Sequence, residues 1–326
     1  MEWLVGIAVG AAAVGLSVWY VVAMPGRSYR GALPPLSASD IELSDRLRRH
    51  VEMLGGEIGE RHIWRPAALE AAADHVERSF QRAGYRVASQ AYRAMQAEVR
   101  NLHCELRGAT LPDEIVVVGA HYDSVVGCPG ANDNGTGVAA VLELARALSG
   151  RPLARTVRFV AFVNEEPPFY FTGAMGSRVY ARQCRAQGDR VVAMLSLETM
   201  GCYSDEPGSQ AYPFPFGLLY PRTGNFIGFV GNLRSRGLVR RCVRAFRARA
   251  RFPCEGVAAP GYLPGIFWSD HWSFWREGYR ALMVTDTAPF RYAEYHTPND
   301  TPERVDFERL AVVTAGLAGV IEELAS

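Results

Sequence analysis

The sequence predicts an α/β protein, specifically a three-layer α/β/α sandwich built on a twisted, mixed and mostly parallel sheet. Three observations support this. Segments with apolar residues at helical spacing alternate along the chain with short β-branched runs. The central run that begins at Ile115 is apolar at successive positions, as in a strand covered by helices on both faces. The core strands also end in an acid or a histidine, which is typical of sheets whose site lies beyond the carboxyl ends of the strands.

Size and composition limit the possible functions. The chain has 326 residues, of which 48% are hydrophobic, and a formal net charge of +1. It can bury a full core, and its balanced charge predicts no nucleic-acid partner. All its basic side chains except histidine are arginine, which excludes a lysine Schiff base and a P-loop lysine. Six cysteines without a C-x-x-C pair argue against a thiolate zinc site and leave disulfides possible.

The amino terminus has the character of a membrane segment. Trp3 to Met24 is uncharged, apolar and about as long as a membrane-spanning helix. No Lys or Arg precedes it, which favours an uncleaved anchor over a removed signal. We expect residues 1–25 to be a transmembrane anchor or signal, 26–39 a linker and 40–326 one folded domain. We expect that domain outside the cytoplasm, although Arg27 and Arg30 favour the opposite orientation by the positive-inside rule.

The elements of the folded domain follow from periodicity and from turn residues. Helical spacing predicts helices over Ile41–Met53, Ala67–Ala83, Val138–Leu148 and Phe307–Leu324, and Ser177 is a candidate cap for a helix through Cys184. Strands are predicted over Tyr85–Ala91 and Asn101–Leu106, from Ile115, and over Thr156–Val163, Val191–Leu197 and Ala281–Thr285. Cys202–Gly231, rich in Gly, Pro and aromatic residues, is predicted to be a long loop or insertion over the site.

Metal-binding side chains collect where these strands end. They are His121, Asp133, Glu165, Glu166, Glu198 and His296. Histidines and carboxylates without thiolates suit zinc best among the divalent metals. A carboxylate shared between two sets of histidine and acid would hold two ions about 3.5–4 Å apart, as in two-metal hydrolases.

These residues lie in five motifs that resemble those of a known family. The motifs are His121-Tyr-Asp123-Ser, Asn132-Asp133-Asn-Gly-Thr-Gly137, Asn164-Glu165-Glu166, Leu197-Glu198-Thr-Met-Gly201 and Tyr295-His296-Thr-Pro-Asn-Asp300-Thr. From about residue 40 onward the chain resembles the co-catalytic di-zinc aminopeptidases of metallopeptidase family 28, which are related to glutamate carboxypeptidases and glutaminyl cyclases. The resemblance implies a zinc-peptidase type of sandwich and makes 40–326 the catalytic domain.

The resemblance also implies a role for each residue. His121 and Glu198 would bind one zinc ion, Glu166 and His296 the other, and Asp133 would bridge the two. Glu165 would be the general base, Tyr295 would support the oxyanion, and Asp123 would hold the distal nitrogen of His121. Many members of the family carry Asp where this chain has Glu198, which we interpret as a subfamily trait.

The resulting hypothesis is a membrane-anchored, zinc-dependent exopeptidase that acts on peptides as an aminopeptidase. Two alternatives stay open: a single-zinc glutaminyl cyclase and a catalytically silent binding ectodomain. His271 is either a loop-packing or a substrate-contacting residue. The arginines at 240, 244, 247 and 251 form one helical stripe, which is typical of a solvated face or a lipid contact.

Overall fold

The computed structural model describes residues 3, 10 and 15–326, and a single sheet of eight strands organises them. The strand order is β1-β2-β4-β3-β5-β8-β6-β7. The strands are β1 (Val87–Ala94), β2 (Ala97–Leu106), β3 (Leu111–His121), β4 (Arg155–Phe162), β5 (Arg190–Glu198), β6 (Ile227–Asn232), β7 (Cys254–Ala259) and β8 (Ala281–Thr285).

Strand direction brings four carboxyl ends to one edge of this sheet. Strands β4, β3, β5 and β8 are mutually parallel neighbours, whereas β2 is antiparallel to β4 and β6 is antiparallel to β8. His121 therefore pairs with Phe162, and Glu198 pairs with Thr285, at the ends of their strands. The predicted mixed, mostly parallel sheet is confirmed, and its ligand-bearing loops start from a common edge.

Helices cover both faces of the sheet. They are α1 (Ala38–Val51), α2 (Pro66–Arg82), α3 (Gly137–Leu148), α4 (Gly176–Gln187), α5 (Arg236–Arg249), α6 (His271–Arg276) and α7 (Phe307–Ala325). The described chain also contains a helical stretch at 15–22, a π-helical segment at Glu52–Ile58, and a kinked turn at Ala131–Thr136 with non-helical backbone angles at Asp133 and Asn134. Four short 3₁₀ turns are Phe216–Leu218, Leu233–Ser235, Ala288–Phe290 and Pro302–Arg304.

Alternating side chains of β3 show how the two cores form. Val116 and Val118 pack into the large cluster that includes α1, α2, α3, α5 and α7. Ile115 and Val117 point the other way, into a smaller cluster with α4 and α6. All four are almost fully buried, as expected for a strand between two helical layers. The three-layer sandwich is thereby confirmed.

Two local predictions were wrong, and one strand was missed. Cys202–Gly231 is not wholly irregular, because β6 begins at Ile227, and β7 was not predicted at all. Glycines 228, 231 and 256 interrupt the apolar alternation of these two strands, which hides their pattern. Ser177 does not cap α4: the helix starts one residue earlier, and the Ser177 hydroxyl pairs with Ser273 at 2.8 Å. The six cysteines are free.

The predicted membrane segment, Trp3–Met24, lies partly outside the described residues, so the anchor stays a prediction. Within the described chain we find no helix long and apolar enough to cross a membrane. The helical stretch 15–22 ends against α5, where Arg240 and Arg247 of the arginine stripe bond to residues 23–26, whereas Arg244 is 65% exposed. Arg236 donates to the carbonyl of Tyr20 and Arg240 to that of Ala23, while Arg247 donates to Pro25.

Candidate active site

Five segments deliver the predicted site residues to the common edge of the sheet. His121 and Glu198 are the last residues of β3 and β5. Glu165 and Glu166 follow β4 directly, and Asp133 lies in the turn that enters α3. His296 comes from the loop after β8, with φ of 58° and a side chain that is 33% exposed. The other five side chains are buried.

Asp133 lies at the centre of these residues. Its Oδ1 is 3.2 Å from Nε2 of His121, and its Oδ2 is 3.0 Å from Nε2 of His296. Each histidine faces a further acid: His121 is 3.5 Å from Glu198 Oε2, and His296 is 3.3 Å from Glu166 Oε1. Each oxygen of the Asp133 carboxylate thus faces a different histidine, and each of these histidines also contacts an acid of its own.

The tautomer of His121 is set by its own loop. Its Nδ1 donates a hydrogen bond to the backbone carbonyl of Asp123 at 3.2 Å, which leaves Nε2 free to accept. The Asp123 carboxylate, predicted to make this contact, is 3.6 Å from Nδ1. Its two oxygens instead accept the backbone N–H groups of Glu165 and Glu166 at 3.1 and 3.2 Å. Asp123 therefore connects the β3 loop to the β4 loop.

Asp300 holds the loop that carries Asp133. Its carboxylate accepts the backbone N–H groups of Asn132 and Asp133 at 2.8 and 3.0 Å, and the hydroxyl of Tyr292 at 2.9 Å. These bonds reach the distant Asp133 loop as well as Tyr292 in the loop of Asp300 itself. Asp300 and His296 are four residues apart, so one loop positions both Asp133 and its histidine partner.

Comparisons with known proteins identify the family of this chain. Residues 101–321 match the sequence profile of peptidase family M28. The chain belongs to peptidase family M28. The uncharacterized protein YfbL of Escherichia coli K12 is 36% identical over 258 residues, which are 76% of this chain and 78% of that protein.

Solved structures resemble this M28 chain over most of its length. The zinc aminopeptidase BSAP of Bacillus subtilis superimposes with a TM-score of 0.65 at 17% identity, covering 84% of this chain and 94% of that one. The glutaminyl cyclase of Fimbriiglobus ruber superimposes with a TM-score of 0.63 at 20% identity, covering 92% and 99%. At these identities the superpositions show a shared fold. Membership of the family makes the chain a hydrolase of the metallo-exopeptidase class.

The residues of the M28 site fit zinc, the metal that the family implies. Three groups of three side chains lie close enough to hold an ion: His121 with Asp133 and Glu198, Asp133 with Glu166 and His296, and His121 with Glu165 and Glu166. Asp133 Oδ1 and Glu166 Oε1 are buried, and apart from the histidine contacts at 3.2 and 3.3 Å neither has a hydrogen-bond donor. Such orphaned oxygens are costly unless a cation compensates them.

The pKa shifts of the site residues also favour a bound metal ion. Burial and the charge of Asp133 raise the pKa of Glu166 to about 7, against the opposing effect of His296. Burial likewise raises the pKa of Glu165 well above its ordinary value, and the neighbouring Glu166 and Glu198 add to the rise. Burial opposes the charge of His296, but hydrogen bonds to Asp133 and Glu166 raise its pKa to about 10. The site holds more buried acid than the histidines can neutralise, which favours divalent cations.

Sequence reasoning missed several residues that support this site. Ser269 donates to Glu198 Oε2 at 2.6 Å, and the neighbouring Asp270 is fully buried with neither carboxylate oxygen hydrogen-bonded. The only sequence signal for them is an acid beside the aromatic-rich start of α6, next to His271. His271 itself bonds to the carbonyl of Ile266 at 2.8 Å, which supports the loop-packing alternative.

A buried arginine was also missed. Arg61 is 0% exposed, and its guanidinium donates to five backbone carbonyls, those of Leu54, Gly59, Tyr122, Pro129 and Gly130. The carbonyls of Tyr122, Pro129 and Gly130 lie between His121 and Asp133 in the chain, and those of Leu54 and Gly59 lie in the neighbouring 52–59 segment. No sequence signal distinguishes Arg61 from the other arginines, because its partners are main-chain groups far away along the chain.

Proposed function

We propose that the chain is a zinc-dependent aminopeptidase that removes amino-terminal residues from peptides and uses two zinc ions. The observation that carries this proposal is the arrangement of Asp133, whose two oxygens face two histidines that each have an acid of their own. His121 and Glu198 would hold one ion, Glu166 and His296 the second, and Asp133 both. Bound zinc supplies polarisation of the scissile carbonyl and of the attacking water.

Glu165 is proposed as the general base. Its side chain is buried, with Oε2 3.9 Å from His121 Nε2. Its own backbone N–H donates to the Asp123 carboxylate, which fixes its place in the loop after β4. Burial raises its pKa, and zinc ions nearby would lower it, which brings the carboxylate into the range useful at neutral pH. Its carboxylate would take a proton from the attacking water and pass it to the nitrogen of the leaving amine.

Tyr295 is proposed to stabilise the developing oxyanion. Its ring stacks on the imidazole of His296, with the ring centroids 3.9 Å apart and the planes 16° from parallel. The tyrosine lines the same cavity as Asp133, Glu165 and Glu166. Burial raises the pKa of its phenol above its ordinary value, so the hydroxyl keeps its proton and can donate a hydrogen bond.

The decisive test combines metal content with a base variant. We expect two zinc ions per chain, loss of leucine 4-nitroanilide hydrolysis on chelation and recovery with zinc. Glu165→Gln should lower kcat by about 10²–10⁴-fold with unchanged zinc content, measured by elemental mass spectrometry. Glu42→Gln, an acid on α1 that is 74% exposed and precedes all five motifs, is the matched control and should match wild type. Loss of zinc from Glu165→Gln, or full activity, would contradict the base assignment.

A glutaminyl cyclase is the second candidate, because the Fimbriiglobus ruber structure covers 92% of this chain with a similar TM-score. A cyclase would carry one zinc ion and convert an amino-terminal glutamine to pyroglutamate without releasing an amino acid. The same preparations therefore separate the candidates: mass spectrometry of Gln-Ala-Ala and Leu-Ala-Ala products shows either ammonia loss or a free amino acid.

A further inference from the structure

A large apolar cavity opens from the candidate active site. Its volume is about 290 Å³, near the lower end of the ~300–1,000 Å³ typical of sites for drug-sized ligands. Asp133, Glu166 and His296 line it, as does Glu255 of the edge strand β7.

The register of the sheet gives the direction of this cavity. Glu198 of β5 pairs with Thr285 of β8, Thr285 pairs with Gly228 of β6, and Gly228 pairs with Glu255 of β7. These four residues form one row across the sheet, and the last three line the cavity along with Glu198. Three strand spacings of about 4.8 Å make the row on the order of 14 Å long.

Beside this row, apolar side chains line the floor of the cavity. A second row, Met283, Val230 and Val257, lies on the same face, and its members pair in register. Gly228 has no side chain, so the middle of the first row is open. The α4 and α6 layer packs against the neighbouring part of this face, whereas loop residues such as Phe216, Trp268 and Phe290 line the cavity here.

Several hydroxyl groups in the walls are already hydrogen-bonded within the protein. Tyr220 donates its hydroxyl to the carbonyl of Gly256 at 2.8 Å, and Tyr212 donates to that of Pro221 at 2.7 Å. Thr285 Oγ1 accepts the N–H of Thr287 at 2.8 Å. An extended peptide in this cavity would leave its amide groups without partners, which is costly, whereas a hydrocarbon chain would not.

We propose that the site acts on substrates whose residue on the acyl side of the scissile bond carries a long unbranched hydrocarbon chain, as in a lipidated amino acid. This inference rests on the proposed hydrolase function. An extended chain advances about 3.3–3.6 Å per three bonds, so about 14 Å accommodates roughly a dozen bonds. A leucine side chain, with three bonds from Cα to its tip, fills only the part next to the metal-binding residues.

The test is a homologous series of 4-nitroanilides of linear 2-amino acids with side chains of one to ten carbons, together with leucine, phenylalanine and tryptophan. We expect kcat/KM to rise about fourfold for each added methylene while the chain still enters the cavity. A maximum at leucine or at tryptophan, with decline along the linear series, would overturn the proposal.

Two variants test the path of the chain. Gly228→Val places a side chain in the open middle of the first row, where an added Cβ comes no closer than 3.3 Å to its neighbours, the nearest being the Thr285 carbonyl. Val257→Phe fills the far end instead. Both should lower the ratio of kcat/KM for the ten-carbon substrate to that for alanine by at least tenfold. Leu111→Phe, at the exposed start of β3, is the control and should keep the ratio.

A binding measurement separates this proposal from the proposed function. The metal-free chain is titrated with a fluorescent long-chain alkylamine, and we expect saturable binding that Gly228→Val and Val257→Phe weaken tenfold or more. Binding to all variants alike would overturn the cavity assignment. If no anilide is hydrolysed but the probe binds in this variant-dependent way, the peptidase function fails while the hydrocarbon site stands.

Discussion

At the scale of single residues, Glu143 shows how a buried acid is stabilised away from the active site. It lies on α3 with a side chain that is 3% exposed, and it accepts hydrogen bonds from Arg46 and Arg146, both at 2.8 Å. His50 is 3.4 Å away. Burial opposes the charge of Glu143, but hydrogen bonds from His50, Arg46 and Arg146 lower its pKa from 4.5 to about 2.

This depressed pKa makes a prediction about acid stability. Stabilisation by Glu143 is present above pH 4.5 and is lost as the pH falls towards about 2. The difference corresponds to about 3 kcal/mol. In urea unfolding of the metal-free protein, Glu143→Gln should be less stable than wild type by about that amount at pH 7, with a gap that closes towards pH 2. Glu42→Gln, 74% exposed and 3.7 Å from Arg46, should change stability by under ~0.5 kcal/mol. A gap independent of pH would contradict this.

The residue scale also shows why part of the site could be predicted. His121, Asp133, Glu166, Glu198 and His296 sit at or just beyond strand ends or in polar loop motifs, so local pattern marks them. Arg61, Asp270 and Ser269 lack such a mark. Arg61 is recognisable only through carbonyls that tertiary structure brings to it, and Asp270 only through its burial. The roles of all these residues in binding metal and in catalysis stay predictions for the experiments above.

At the scale of elements, the π-helical segment Glu52–Ile58 packs directly under the Asp133 loop. A Cβ added to Gly55 would lie 2.7 Å from both Cα and Cβ of Ala131, two residues before Asp133. A Cβ on Gly56 would meet only Pro302 Cγ, at 3.5 Å. These adjacent glycines form a matched pair, because Gly55 packs against the Asp133 loop and Gly56 has space for a methyl group.

We expect Gly55→Ala to displace this loop. Overpacking of this kind costs about 1–3 kcal/mol, and movement of Asp133 should also weaken zinc binding. Gly56→Ala should be neutral or slightly stabilising, because alanine is the better helix former. Thermal unfolding with and without zinc measures both effects. Equal zinc affinity in the two variants would show that the segment does not position Asp133.

Elements differ in how well their sequence predicts them. The apolar run of β3 is regular, and β8 is predicted to the residue, because side chains cover both of their faces. In β6 the sequence Ile227-Gly-Phe-Val-Gly leaves glycine where the strand faces the cavity. The open cavity that we assign to substrate thus removes the alternation by which a strand is recognised.

At the scale of the whole molecule, the chain covers one edge of its own sheet. β7 is an edge strand, and unpaired edges invite association with other chains. Ser28 accepts the N–H of Cys254 through its hydroxyl oxygen at 3.0 Å and donates to the Cys254 carbonyl at 2.9 Å. Arg247 of α5 bonds to the carbonyls of Pro25, Gly26 and Cys254 at 3.0, 3.2 and 2.8 Å. The segment that follows the helical stretch 15–22 is thereby fastened to the catalytic domain.

This attachment predicts a change in protease sensitivity. Arg247→Leu removes the three hydrogen bonds that join the segment to β7, so trypsin should cleave after the exposed Arg27 and Arg30 about tenfold faster than in wild type. Arg244→Leu is the matched control on the same helix, because its side chain is 65% exposed and 3.8 Å from the nearest paired acid, Glu323. The full chain is digested briefly in detergent, and mass spectrometry follows the two cleavage products. If both variants are cut at the wild-type rate, the segment is held by its apolar contacts, such as Val21 on the cluster beside the cavity, and not by Arg247.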